Sequence, residues 1–117
     1  RITAIDLNSG EHLWMLPAGE TPDRIADLPA LAGVDIGNTG SGAVGQMLVT
    51  GNMLVYTNVT GDGTPHLFAV DKQTGEELAR VEAPAATRYG MSSWVHDGKQ
   101  YLILQTGSAL TAMALAD

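Results

Sequence analysis

The chain has 117 residues, 44% of them hydrophobic, with 14 glycines, no cysteine and a formal net charge of −7. A chain of this size makes one small domain or a piece of a larger one, and buries about two-thirds of its unfolded surface. Six basic residues against 13 acidic ones exclude a nucleic-acid partner; the lack of cysteine excludes disulfides and thiolate sites, and no apolar run nears the ~18 residues of a membrane-spanning helix.

From the start, residues 2–7 alternate apolar and polar, Asn8-Ser9-Gly10 is a turn signal, and 12–16 return as a second strand. Arg1 opens in what reads as the middle of a strand, with neither initiator Met nor signal peptide before it, and a fragment is expected. Residues 17–45 read as an insertion. Within it TPDRIADL suits a short helix capped by Thr21 with Pro22 at its first position, followed by the Gly-rich loop GVDIGNTGSGAVG. Residues 46–50 and 53–58 form a hairpin about Gly51-Asn52, and 66–70 and 77–81 another about the turn 72–75. A third hairpin joins 91–96 to 99–105 through Asp97-Gly98, and 110–115 reads as a last strand.

The expected fold is therefore all-β, with two strands, then four, then three. Four antiparallel strands joined by tight turns make a β-propeller blade. On this reading 1–16 end one blade, 17–45 are an insertion loop, 46–83 are a full blade and 88–117 an incomplete final one.

One sequence occurs nearly twice. AIDLNSGEHLW begins at Ala4 and AVDKQTGEELA at Ala69, with Asp6 and Asp71 separated by 71 − 6 = 65 residues. Repeats of this kind signal stacked units. Asp accepts backbone N–H bonds at a tight corner, and Gly takes the positive φ the corner needs. The terminal Trp14 offers a flat surface and an indole N–H to a neighbouring blade, where it is expected to be largely buried. Ala79 in the matching place makes a weaker junction.

The pattern A-x-D-x-x-T-G-x-x-x-W resembles the tryptophan-docking motif of the pyrroloquinoline quinone (PQQ) dehydrogenases. Ala4, Asp6, Ser9, Gly10 and Trp14 match it, as do Ala69, Asp71, Thr74 and Gly75. QMLVTGNMLVYT resembles the family's T-A-G-G-L-V-F strand pair, DGKQYLIL its G-K-Q-Y-V-V-I strand, and LTAMALAD the tail of its membrane glucose-dehydrogenase type. The resemblance implies two to three blades of an eight-bladed propeller, from the C-terminal part of a periplasmic enzyme. Such an enzyme oxidises an alcohol or aldose by hydride transfer to PQQ, with Ca²⁺ polarising the quinone and an Asp base outside this chain. The implied partners are the remaining blades of the same protein and the small substrate, with any membrane contact made through missing regions.

By the same resemblance, the segment before the first full blade lines the cofactor chamber, which makes Asn38, Thr39 and Ser41 the candidate PQQ contacts. GNTGSG lacks the Lys-Ser/Thr of a phosphate loop and otherwise reads as an ordinary propeller loop. Ala43 stands where the methanol-oxidising branch often carries Trp, and the stretch 105–110 lacks the His of glucose-dehydrogenase tails. The alternative is a non-catalytic periplasmic propeller scaffold of the outer-membrane assembly type, which uses the same motif without a cofactor. His12, His66 and His96 have no metal-ligand spacing, Asp23 and Asp27 suit a solvated helix face, and no Ser/His/Asp set is visible. No catalytic or metal-binding residue is expected within the chain.

Overall fold

A computed structural model describes residues 1–115. Nine strands run β1 (Ile2–Ile5), β2 (His12–Leu16), β3 (Met47–Val49), β4 (Met53–Val59), β5 (Pro65–Asp71), β6 (Glu77–Glu82), β7 (Met91–His96), β8 (Lys99–Thr106) and β9 (Ala109–Ala114). They pair in chain order as three antiparallel sheets, β1-β2, β3-β4-β5-β6 and β7-β8-β9. The fold is all-β, and its sheets of two, four and three strands are partial propeller blades. The last two residues of LTAMALAD lie outside the described residues.

Period-two alternation explains how the sheets stack. The four-stranded sheet lies in the middle and is apolar on both faces. Leu54, Tyr56, Phe68 and Val70 point to the first sheet, where Ile2, Trp14, Leu16 and Ala18 meet them. Val55 and Leu67 point the other way, onto Ala83, Leu102, Met91 and Met113. Within the first cluster the Tyr56 and Phe68 rings stack with centroids 4.9 Å apart, and burial raises the Tyr56 hydroxyl pKa. The outermost faces have no such cover. Leu13, Met15, Trp94 and Leu110 stay exposed, and Trp94 stacks on Tyr101 at 5.3 Å.

Asp97 (φ 48°) and Gly98 (φ 74°) form the two-residue turn that pairs His96 with Lys99. Two left-handed residues in sequence twist the turn to match the strands it joins.

Two local expectations are corrected. The helix is one turn, Asp23–Ala26, and Pro22 rather than Thr21 precedes it, with no side-chain cap. The Thr21 hydroxyl is engaged elsewhere, accepting the Thr39 N–H at 2.7 Å. The first strand stops at Ile5 instead of reaching Leu7, because Asp6 already folds the chain back by donating its N–H to the Glu11 carbonyl.

The seam between the second and third sheets contains a threonine bridge. Buried Thr57 donates its hydroxyl to the Thr87 carbonyl and accepts the Thr87 N–H, at 3.3 and 3.2 Å. Thr87 donates its own hydroxyl to the Gln105 carbonyl in β8. The linker between the two sheets is thereby held to both.

Candidate functional site

The insertion leaves β2 and returns to β3 against one spot, the end of β4. Gly19 near its start is pressed so closely on Asn58 that a Cβ there would overlap the Asn58 side chain and the Val59 carbonyl. Gly45 at its end meets the Thr57 carbonyl in the same way. Glycine is required at both places by contact with a buried strand.

The three candidate residues lie on the returning limb. Asn38 accepts N–H bonds from Thr21 at 3.1 Å and Gly40 at 2.8 Å, and its amide nitrogen donates to the Gly19 carbonyl at 3.0 Å. The Thr39 hydroxyl lies 3.1 Å from that of Thr21. Ser41 takes the Ala18 carbonyl through its N–H at 2.9 Å, and its hydroxyl donates to Asn58 Oδ1. Asn38 and Thr39 share an open cleft of about 550 Å³ with Arg1, Met15 and Pro17. Ser41 opens into a different one of about 610 Å³, beside Asp23, Arg24 and Asp62. Two of the three residues are thus brought together and the third is set apart.

Asn58 is the residue that the sequence pattern missed. It is 2% exposed, and its Oδ1 accepts both the Ser41 hydroxyl and its own neighbour's N–H, from Val59 at 2.9 Å. In sequence it reads only as the last residue of the strand 53–58, with no signal that it would anchor the insertion.

Glu20 makes a second tie. One carboxylate oxygen receives the Arg80 guanidinium at 2.6 Å, and the other the Gly61 N–H at 3.0 Å. Both hold its pKa below the ordinary value, the Arg80 hydrogen bond most. Arg80 also forks onto Glu77, at 2.7 and 3.0 Å, and lies 5.1 Å over the Phe68 ring. These pairs raise its pKa further. Beside them Asp62 accepts from the Thr60 hydroxyl and from the Thr64 N–H and hydroxyl, which lowers its pKa to about 2.

The repeated sequence folds into a repeated turn. Asp6 Oδ1 accepts the N–H groups of Asn8 and Ser9 at 2.7 and 3.2 Å; Asp71 Oδ1 accepts those of Gln73 and Thr74 at 2.8 and 2.9 Å. Gly10 and Gly75 both take φ 76°. The bonds from Thr74 and Gln73 hold the Asp71 pKa below the ordinary carboxylate value. Trp14 lies on the second turn: its indole N–H donates to the Lys72 carbonyl at 3.0 Å, and a Cβ at Gly75 would sit 2.8 Å from its ring. Trp14 is of intermediate exposure rather than largely buried, held by this turn and by the cluster of Ile2, Leu54, Tyr56, Phe68 and Val70 that it packs against.

Stacked antiparallel sheets with one repeated corner define a propeller-type protein. A family model described as the glucose/ethanol/alcohol dehydrogenase β-propeller domain (PQQ) matches residues 1–102, and the chain belongs to that family. No curated protein and no solved structure matches it.

The described residues do not make a calcium site on their own. Among the described residues no group of three or more His, Asp or Glu side chains is placed to hold a metal ion. His12, His66 and His96 lie in different strands, and the His66 ring is taken by the Thr64 carbonyl at 3.1 Å.

Proposed function

We propose that this chain is the C-terminal propeller portion of a periplasmic quinoprotein dehydrogenase that oxidises an alcohol or aldose. The single observation that carries this reading is the family match over residues 1–102. PQQ, when bound to the whole protein, supplies the acceptor for the substrate's hydride. The Ca²⁺ ligands and the catalytic Asp belong to other blades. The share of this chain is mechanical: Trp14 locks one sheet to the next as a tryptophan-docking residue, and the tied insertion holds the wall that presents Asn38, Thr39 and Ser41. Those three are the proposed cofactor-side contacts.

One observation favours a scaffold without cofactor, of the outer-membrane assembly type. The polar groups of Asn38, Thr39 and Ser41 already bond within the chain, to Gly19, Thr21 and Asn58. Activity separates the two readings. Full-length protein reconstituted with PQQ and Ca²⁺ is expected to reduce an artificial dye in the presence of an alcohol or aldose. Absence of dye reduction across primary alcohols and aldoses, with PQQ bound or not, supports the scaffold.

A further inference from the structure

The return limb of the insertion, which carries Asn38, Thr39 and Ser41, ends at Gly45 and Gln46 against Thr57 of β4. There main chain and side chain bond it together. The Thr57 N–H donates to the Gln46 carbonyl at 3.0 Å, and the Gln46 N–H donates to the Thr57 hydroxyl at 3.3 Å. The same hydroxyl meets the linker to the third sheet, donating to the Thr87 carbonyl and accepting the Thr87 N–H. One donor and two acceptor positions are a hydroxyl's whole capacity, and Thr57, 0% exposed, uses all three. Thr87 is 2% exposed and extends the chain of bonds by one step: its hydroxyl accepts the Tyr89 N–H at 3.2 Å and donates to the Gln105 carbonyl of β8. A parallel link runs beside the pair, where Gln46 Nε2 donates to the Arg88 carbonyl at 3.1 Å.

We propose that Thr57 and Thr87 are positioning residues for the insertion: through their paired hydroxyls the third sheet sets where the return limb, with Ser41, stands. Thr57 directly precedes Asn58, whose Oδ1 receives the Ser41 hydroxyl, so the strand that the bridge holds is the strand that anchors the limb. β8, Thr87, Thr57 and Gln46 are consecutive links, each a hydrogen bond to or from a buried hydroxyl. Valine has the shape of threonine without the hydroxyl. At position 57 it leaves the Gln46 N–H and both Thr87 main-chain groups without their partner, whereas serine keeps the donor and acceptors. None of these contacts involves a quinone, and the coupling is the same whether or not the limb faces a cofactor.

The test is hydrogen–deuterium exchange read by mass spectrometry on the full-length protein, comparing wild type with Thr57→Val, Thr57→Ser and Thr87→Val. Thr57→Val is expected to speed exchange about tenfold in residues 41–47 and 84–90, and Thr57→Ser to stay near wild type. Thr87→Val is the sharper variant, because the Thr87 side chain bonds to Tyr89 and Gln105 and to nothing in the limb. It is expected to speed exchange in 41–47 by about threefold as well as in 84–90, with residues 2–16 unchanged. A Thr87→Val effect confined to 84–90, an equal rise in residues 2–16, or a Thr57→Ser variant as fast as Thr57→Val overturns the proposal. The wild type gives a second reading that needs no substitution. With rising urea, residues 41–47 and 84–90 are expected to lose protection together, and loss at separate urea concentrations overturns the coupling even where a valine variant does not fold.

Discussion

Trp14→Ala tests whether the first and second sheets are locked by one side chain. Deleting a fully enclosed tryptophan costs about 3–5 kcal/mol. Trp14 is packed on the core cluster and on the Gly75 turn but keeps some exposure, so the lower end applies, about 3 kcal/mol, of which the hydrogen bond to the Lys72 carbonyl accounts for about 1. Trp14→Phe keeps the ring and loses the donor, and is expected to cost about 1 kcal/mol alone. Gly75 provides the control on geometry. A methyl group at Gly75 would lie 2.8 Å from the Trp14 ring and would also have to adopt φ 76°. Gly75→Ala therefore carries a steric and a backbone cost in the wild type, and only the backbone cost once Trp14 is alanine. Urea titrations followed by far-UV circular dichroism on the two single variants and the double variant should show a coupling of roughly 1 kcal/mol. Additive variants, or a Trp14→Ala cost below about 0.5 kcal/mol, would refute the lock, since ordinary surface substitutions fall in that range.

At the β7–β8 corner, Gly98→Val is expected to cost about 1–2 kcal/mol through left-handed backbone strain alone, because nothing lies within 4 Å of a Cβ there. Equal stability of the variant by thermal melting would contradict that cause. Asp62 contributes stability above its unfolded pKa of 3.8 that is lost as pH falls towards about 2, where its folded form titrates. The stability difference between wild type and Asp62→Asn should accordingly be constant near neutrality and shrink through that window; a difference unchanged down to about pH 2 would contradict the assignment. The isolated 117-residue chain, with Leu13 and Met15 exposed at one end of the stack and Trp94 and Leu110 at the other, should self-associate on size-exclusion chromatography. A clean monomer would show that these faces need no cover.

The strands were legible because each is a short alternating run closed by residues with one strong backbone preference. His12–Leu16 and Met91–His96 match the pattern to the residue, bounded by Gly10 and by Asp97-Gly98. The candidate site was legible only as a glycine-rich loop. Asn58 and the Thr57–Thr87 bridge depend on which distant backbone groups a short polar side chain meets, and neither spacing nor residue type encodes that. Thr21 failed as a helix cap for the same reason: its hydroxyl had a better partner eighteen residues away in Thr39. The Trp14 partner lay between these cases. The repeat pointed to a neighbouring blade, but the acceptor is the carbonyl of Lys72, a residue that its own side chain gave no reason to choose.

Equilibrium dialysis of the full-length protein against PQQ, with Ca²⁺ and then with a chelator, tests the quinoprotein reading most directly. Saturable PQQ retention that needs Ca²⁺ and weakens in Asn38→Ala and Ser41→Ala variants is the expected result. No retention of PQQ with Ca²⁺ present would contradict it and leave a propeller without a quinone.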